Sequence, residues 1–77
     1  MRITYDPDAD AATIYFVDEI RSGGAPKSMM CDLEMREAAV ILLLDDNDVI
    51  VGVEVLGARK LLPEALLRDA TQPPTGE

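Results

Sequence analysis

Between Ala39 and Leu56 the chain carries two apolar runs around one turn, and this ribbon limits the possible folds more than any other segment. Val40-Ile41-Leu42-Leu43-Leu44 is apolar at every position. Asp45-Asp46-Asn47-Asp48 follows, made of residues that tolerate left-handed φ and bond their own amides. Val49 to Leu56 then returns with Val49, Val51, Val53 and Val55 on one face and Ile50, Gly52, Glu54 and Leu56 on the other. The spacing predicts a β-hairpin with a loop of about four residues. A strand apolar on both faces cannot leave one of them on water. The 39–44 strand is therefore expected to be central and covered twice, by a C-terminal helix on one face and a second subunit on the other.

The flanking segments complete a small α+β reading: an antiparallel sheet of about four to five strands, arranged as a meander of hairpins, with a short C-terminal helix. Arg2 to Tyr5 alternates in the manner of a strand and ends at the turn signal Asp6-Pro7-Asp8. Ala12 to Val17 is rich in β-formers. Ser22-Gly23-Gly24-Ala25-Pro26 reads as a loop. Ser28 to Leu33 is expected to be a third strand, while 34–39 fits either a strand or a helical turn. Pro63 and Glu64 suit a helix start, and Leu62, Leu66, Leu67 and Ala70 form an apolar stripe, so a helix is expected over about 63–70. Residues 1–70 read as one domain and 71–77 as a flexible or extended tail.

The chain is 77 residues long, and a core of that size leaves a stability of roughly 3–5 kcal/mol, which small domains commonly raise with disulfides, a metal or a partner. Cys31 is the single cysteine and there is no histidine, so an internal disulfide is excluded and a zinc site is disfavoured. No cofactor or metal is expected. A homodimer is the remaining support. The net charge of −8 repels phosphate backbones and argues against direct nucleic-acid binding. The N-terminus shows no apolar signal region, and the longest apolar run is far short of a membrane span. A cytoplasmic bacterial protein without membrane association is expected.

Tyr5-Asp6-Pro7-Asp8-Ala9-Asp10-Ala11, followed by Ile14-Tyr15, resembles the opening of a bacterial and archaeal domain-of-unknown-function family, typically "TYDPEADALYI". Val40 to Ala58 resembles the family's second half, which carries "VVGIEIL" in its closing strand. The likeness covers about residues 1–60. Here Ala12 stands for the usual leucine and Asp48 for the usual turn glycine, and 20–36 matches poorly. The resemblance implies a small α+β domain with no established catalytic residues. It also implies, for some members, an antitoxin role beside small toxin-like ribonucleases.

Asp6, Asp8 and Asp10 have the spacing that opens a calcium loop, but the required glycine and glutamate are replaced by Ala11 and Val17. Turn and capping roles fit them better, and the Asp45–Asp48 run reads as a solvated turn. Glu54 is a lone carboxylate in an apolar strand; burial would require a partner such as Arg2, Arg59, Lys60, Tyr5 or Tyr15. Asp6, Asp10, Tyr15 and Glu54 make up the candidate polar cluster. A carboxylate-based acid/base activity would need Asp6, Asp10 and Glu54 to converge, and no catalytic residue is assigned. Cys31, among Met29, Met30 and Leu33, is expected to be a buried apolar cysteine. Gly52 is expected to admit a close neighbour, with Tyr5 or Tyr15 packing there. Two functional readings follow. The first is a self-associating interaction domain. The second is an acidic partner of a small basic ribonuclease-type toxin, presenting the five acids and no base of residues 37–56.

Overall fold

The computed structural model describes residues 1–73, the Met35 side chain apart; the tail expectation for 74–77 lies outside the described residues. Five strands form one antiparallel sheet: β1 (Arg2–Asp6), β2 (Ala11–Tyr15), β3 (Lys27–Leu33), β4 (Ala38–Leu44) and β5 (Ile50–Leu56). Two short helices follow, α1 (Ala58–Leu61) and α2 (Glu64–Asp69). The spatial order is β1-β2-β5-β4-β3. The expected α+β antiparallel sheet is the fold, but its strands do not run as one meander: the chain crosses from β2 to the far edge before β3, β4 and β5 return toward β2. The strand pattern also held at 28–33, and the ambiguous 34–39 segment divides into a 3-10 turn at Glu34–Arg36 and the start of β4. β5, not β4, is the central strand.

The β4–β5 hairpin forms where the acidic turn permits it. The Asp45 carboxylate accepts the Asn47 and Val49 amides at 2.8 and 3.0 Å, and the Asp48 amide donates to the Asp45 carbonyl at 3.1 Å. Asp48 adopts φ 62°, the left-handed conformation a glycine takes most easily. The turn therefore keeps its geometry without glycine, because a short acidic side chain tolerates that region. Asp48→Gly is expected to raise stability by about 0.5 kcal/mol, the backbone gain exceeding loss of the exposed Lys27–Asp48 ion pair. A urea titration followed by circular dichroism reads the shift.

Alternation sorts the sheet into two faces, since directly opposed residues share a face. On the first, Ala12 and Val55 are buried against Ala58 of α1, with Tyr5, Val53, Leu61, Leu62 and Leu67 packed around them. Small residues at Ala12 and Ala58, both fully buried, let the helices lie close to the strands. Pro63, at φ −58°, stands immediately before α2 and its carbonyl accepts the Leu66 amide at 3.0 Å. Leu66, counted in the expected stripe, is exposed, because the six-residue helix turns only one side to the sheet.

α1 was not anticipated. It begins at Gly57, φ 73°, where the chain leaves β5 and doubles back onto the core. A Cβ at Gly57 would lie 2.9 Å from Ala38 Cβ and 3.1 Å from the Glu37 carbonyl, so this turn requires glycine on two counts.

The helices cover one end of their face. β4 is buried at Ala38, Ala39 and Leu44 but half-exposed from Val40 to Leu43. On the opposite face the loop after β2 returns over the sheet, and Ile20 Cδ1 sits 3.1 Å from where a Gly52 Cβ would be. The second cover expected for the apolar ribbon is thus supplied in part by the chain itself, above Gly52.

Candidate functional site

The face away from the helices carries three rows of cross-strand partners. Thr4, Thr13, Glu54, Ile41 and Met30 form the middle row. Arg2, Tyr15, Gly52, Leu43 and Ser28 lie on one side of it, and Asp6, Ala11, Leu56, Ala39 and Asp32 on the other. The loop that carries Ile20 bounds a groove of about 440 Å³ over these rows, lined among others by Thr13, Tyr15, Leu43, Glu54 and Asp6. Thr4 is buried at its floor. The Arg2 guanidinium stands 4.0 Å above the Tyr15 ring centre, a cation–π contact that places a positive charge at the groove's end.

Three of the four cluster residues therefore share one face, and Asp10 does not. The Asp6 carboxylate accepts the amides of Asp8 and Ala9 at 3.0 and 3.4 Å, holding the β1–β2 turn. Glu54 is half-buried between Thr13 and Ile41. Asp6 on β1 and Glu54 on β5 are two strand spacings apart, roughly 10 Å between backbones, too far to share a proton directly. Of the cations considered for Glu54, Arg59 and Lys60 lie on the helix side: Lys60 Nζ reaches Glu37 at 3.3 Å, and an Arg59 guanidinium nitrogen lies 3.5 Å from the Pro7 carbonyl. Only Arg2 is on Glu54's face.

Asp10 caps α1. Its carbonyl accepts the amides of Gly57 and Ala58, each at 3.0 Å, and its carboxylate accepts the Arg59 amide at 3.1 Å and the Tyr5 hydroxyl at 2.8 Å. The negative charge also meets the positive end of the helix. Asp10 has φ 51°, a conformation that aspartate accepts better than alanine. Sequence spacing alone could not find this role, because the capping residue lies 49 positions before the amide it satisfies. Asp10→Ala is expected to cost about 1–2 kcal/mol, measured by chemical denaturation.

Tyr5 titrates above its ordinary value, first because burial disfavours the phenolate and then because its hydroxyl donates to Asp10. The folded state thus holds the phenolic proton longer than the unfolded chain does. Stability from this group is fully present below pH about 10 and falls as pH rises through the raised folded value. A Tyr5→Phe variant should lose that alkaline decline in thermal unfolding scans, while Tyr15→Phe should keep it.

Cys31 is exposed, correcting the buried reading. β3 is the sheet's edge strand: the helices pack on β1 and the start of β4 and leave Met29 and Cys31 open, while Met30 is open on the opposite face. Gly52 does admit a close neighbour: Tyr15 is its cross-strand partner and Ile20 lies above it. Ile20 was missed because an apolar residue in a charged, glycine-rich loop has no periodic signal. Among the described residues no three of His, Cys, Asp and Glu gather in a way that would hold a metal ion. No helix among them is long and apolar enough to cross a membrane.

This geometry defines a small α+β sheet domain with an open groove of mixed polar and apolar lining on one face and helices over part of the other. The chain belongs to the family described as protein of unknown function (DUF2283), whose model matches residues 2–59. That span takes in the sheet and ends at Arg59, within α1. A search of curated proteins and a search of solved structures each found no match.

Proposed function

We propose that this domain is a non-catalytic protein-interaction module that associates with itself as a homodimer. One observation carries the reading: the core under the helices is small, and apolar side chains beyond it stay open. Val40 to Leu43 are half-exposed, and Phe16, Met29, Met30, Val49 and Ile50 are exposed. Ile41, Leu43 and Met30 stand on the groove face and Val40, Leu42 and Met29 on the helix face, so the β3–β4 side of the sheet leaves apolar side chains open on both faces, as a contact surface does. Light scattering of the full chain at micromolar concentration should give twice the 8.4 kDa chain mass. A mass of one chain would overturn the reading.

The second reading, an acidic partner for a small basic ribonuclease-type toxin, has less support. The acids of residues 37–56 do not form one patch. Glu37 lies before β4 and bonds Lys60, Asp45 to Asp48 lie beyond the strand's far end, and Glu54 faces the groove. Salt separates the two readings. Two chains of charge −8 repel, so added salt should tighten self-association, whereas it should weaken capture of a basic partner. Sedimentation velocity at 50 mM and 500 mM salt makes the comparison.

A further inference from the structure

The two edges of the sheet differ. On the β1 edge, the Tyr5 amide donates to the Thr71 carbonyl at 2.8 Å and the Thr71 amide donates to the Ile3 carbonyl at 3.1 Å. Thr71 therefore occupies the backbone groups of Ile3 and Tyr5. β3, at the other edge, has no such cover among the described residues. Uncovered edges invite pairing with another strand.

Backbone alternation fixes which groups β3 offers. Ile3 and Tyr5 point away from β2, so Arg2, Thr4 and Asp6 point toward it. Phe16 donates to the Val51 carbonyl at 3.0 Å, so the Val51, Val53 and Val55 set points to β2 and Gly52, Glu54 and Leu56 point to β4. Val40 and Leu42 then point to β3, where they meet Cys31 and Met29. This leaves Ser28, Met30 and Asp32 with N–H and C=O directed out of the sheet.

Resting on the homodimer reading, we propose that the β3 strands of two copies pair antiparallel about a two-fold axis at Met30, joining the two sheets into one. Met30 then faces Met30 of the second copy, and Ser28 faces Asp32 on each side of the axis. These three pairs use every outward group of the segment, each pair exchanging two backbone bonds. A register centred on Met29 or Cys31 leaves some of those groups without a counterpart. The side chains agree with this choice. The Ser28 hydroxyl can donate to the opposed Asp32 carboxylate, no two like charges are directly opposed, and Lys27 faces Leu33. The exposed Met30 side chains meet at the axis beside Ile41, extending the middle row across the seam.

The register has a chemical signature. Met29 and Cys31 of the second copy become a non-hydrogen-bonded pair with Cα atoms about 4.5 Å apart. Disulfides span roughly 4.4–6.8 Å between Cα atoms. Cys31 and its own counterpart sit two positions out of register, about 8 Å apart, beyond that reach. Mild oxidation should therefore leave the wild-type chain uncrosslinked and convert Met29→Cys to a covalent dimer, with peptide mapping placing the bond between the new thiol and Cys31 of the other chain. The Met29→Cys, Cys31→Ser double variant should stay uncrosslinked. Position 29 is exposed, and circular dichroism checks that these variants fold. Met30→Asp should raise the dimer dissociation constant about tenfold or more, by opposing two carboxylates at the axis. A wild-type Cys31–Cys31 bond would overturn this register in favour of one centred on Cys31. A dimeric mass with no crosslink in Met29→Cys would overturn pairing through β3 but leave the homodimer reading standing. A monomeric mass would overturn both.

Discussion

Replacing Gly57 with alanine will leave much of the protein unfolded at room temperature. The residue holds φ 73°, where an L side chain costs about 1–2 kcal/mol. The added methyl would also lie 2.9 Å from Ala38 Cβ and 3.1 Å from the Glu37 carbonyl. Both neighbours sit where the 3-10 turn enters β4, and Ala38 is buried, so neither can easily give way. Forcing a group into such a site costs about 1–3 kcal/mol more. The combined loss, about 2–5 kcal/mol, matches the roughly 3–5 kcal/mol that a core of this size supplies. Gly57 is also where Asp10 reaches α1, so a displaced turn pulls that cap away. Urea denaturation followed by circular dichroism measures the effect. A loss below about 1 kcal/mol would mean that the turn relaxes in a way its contacts do not suggest.

On the proposed β3 pairing, removing residues 71–77 will turn a closed dimer into an open-ended assembly. Thr71 supplies two backbone bonds to β1, worth about 1 kcal/mol each, so some stability is lost. The larger effect is on association. The truncated chain exposes the Ile3 carbonyl and the Tyr5 amide, giving the sheet two bare edges where the described residues leave one. One bare edge allows a closed pair, whereas two allow sheets to add without end. Sedimentation should show large, polydisperse species in the truncated chain that a Met30→Asp substitution only partly suppresses. Thr71→Pro, which deletes a single donor and keeps the chain length, should show a weaker form of the same behaviour.

Much of the fold was legible because it follows from local rules. The apolar ribbon, the acidic turn and the alternation of Ile3 with Tyr5 each specify a strand within a few residues. What could not be read were contacts that join distant parts of the chain. Asp10 looks like a turn residue in sequence, and it is one, but its carbonyl and carboxylate also organise a helix that begins 48 residues later. Ile20 gives no pattern, yet it covers Gly52. The candidate cluster was legible only in part: strand parity places Asp6, Tyr15 and Glu54 on one face once the register is known, and no local rule gives that register across β1, β2 and β5. Cys31 was misjudged because burial of an alternating strand depends on its place in the sheet, and an edge strand has the same pattern as an inner one.

The two edges tie these observations together, since one is closed by the chain's own Thr71 and the other is, on the proposed pairing, left to a second copy. Amide hydrogen exchange of β3 at concentrations above and below the dimer constant tests this directly. Ser28, Met30 and Asp32 should exchange as slowly as Met29 and Cys31 in the concentrated sample and lose that protection on dilution, while the inner set keeps it. If those three amides exchange freely at every concentration while their neighbours stay protected, the β3 edge is bare in solution and the account fails.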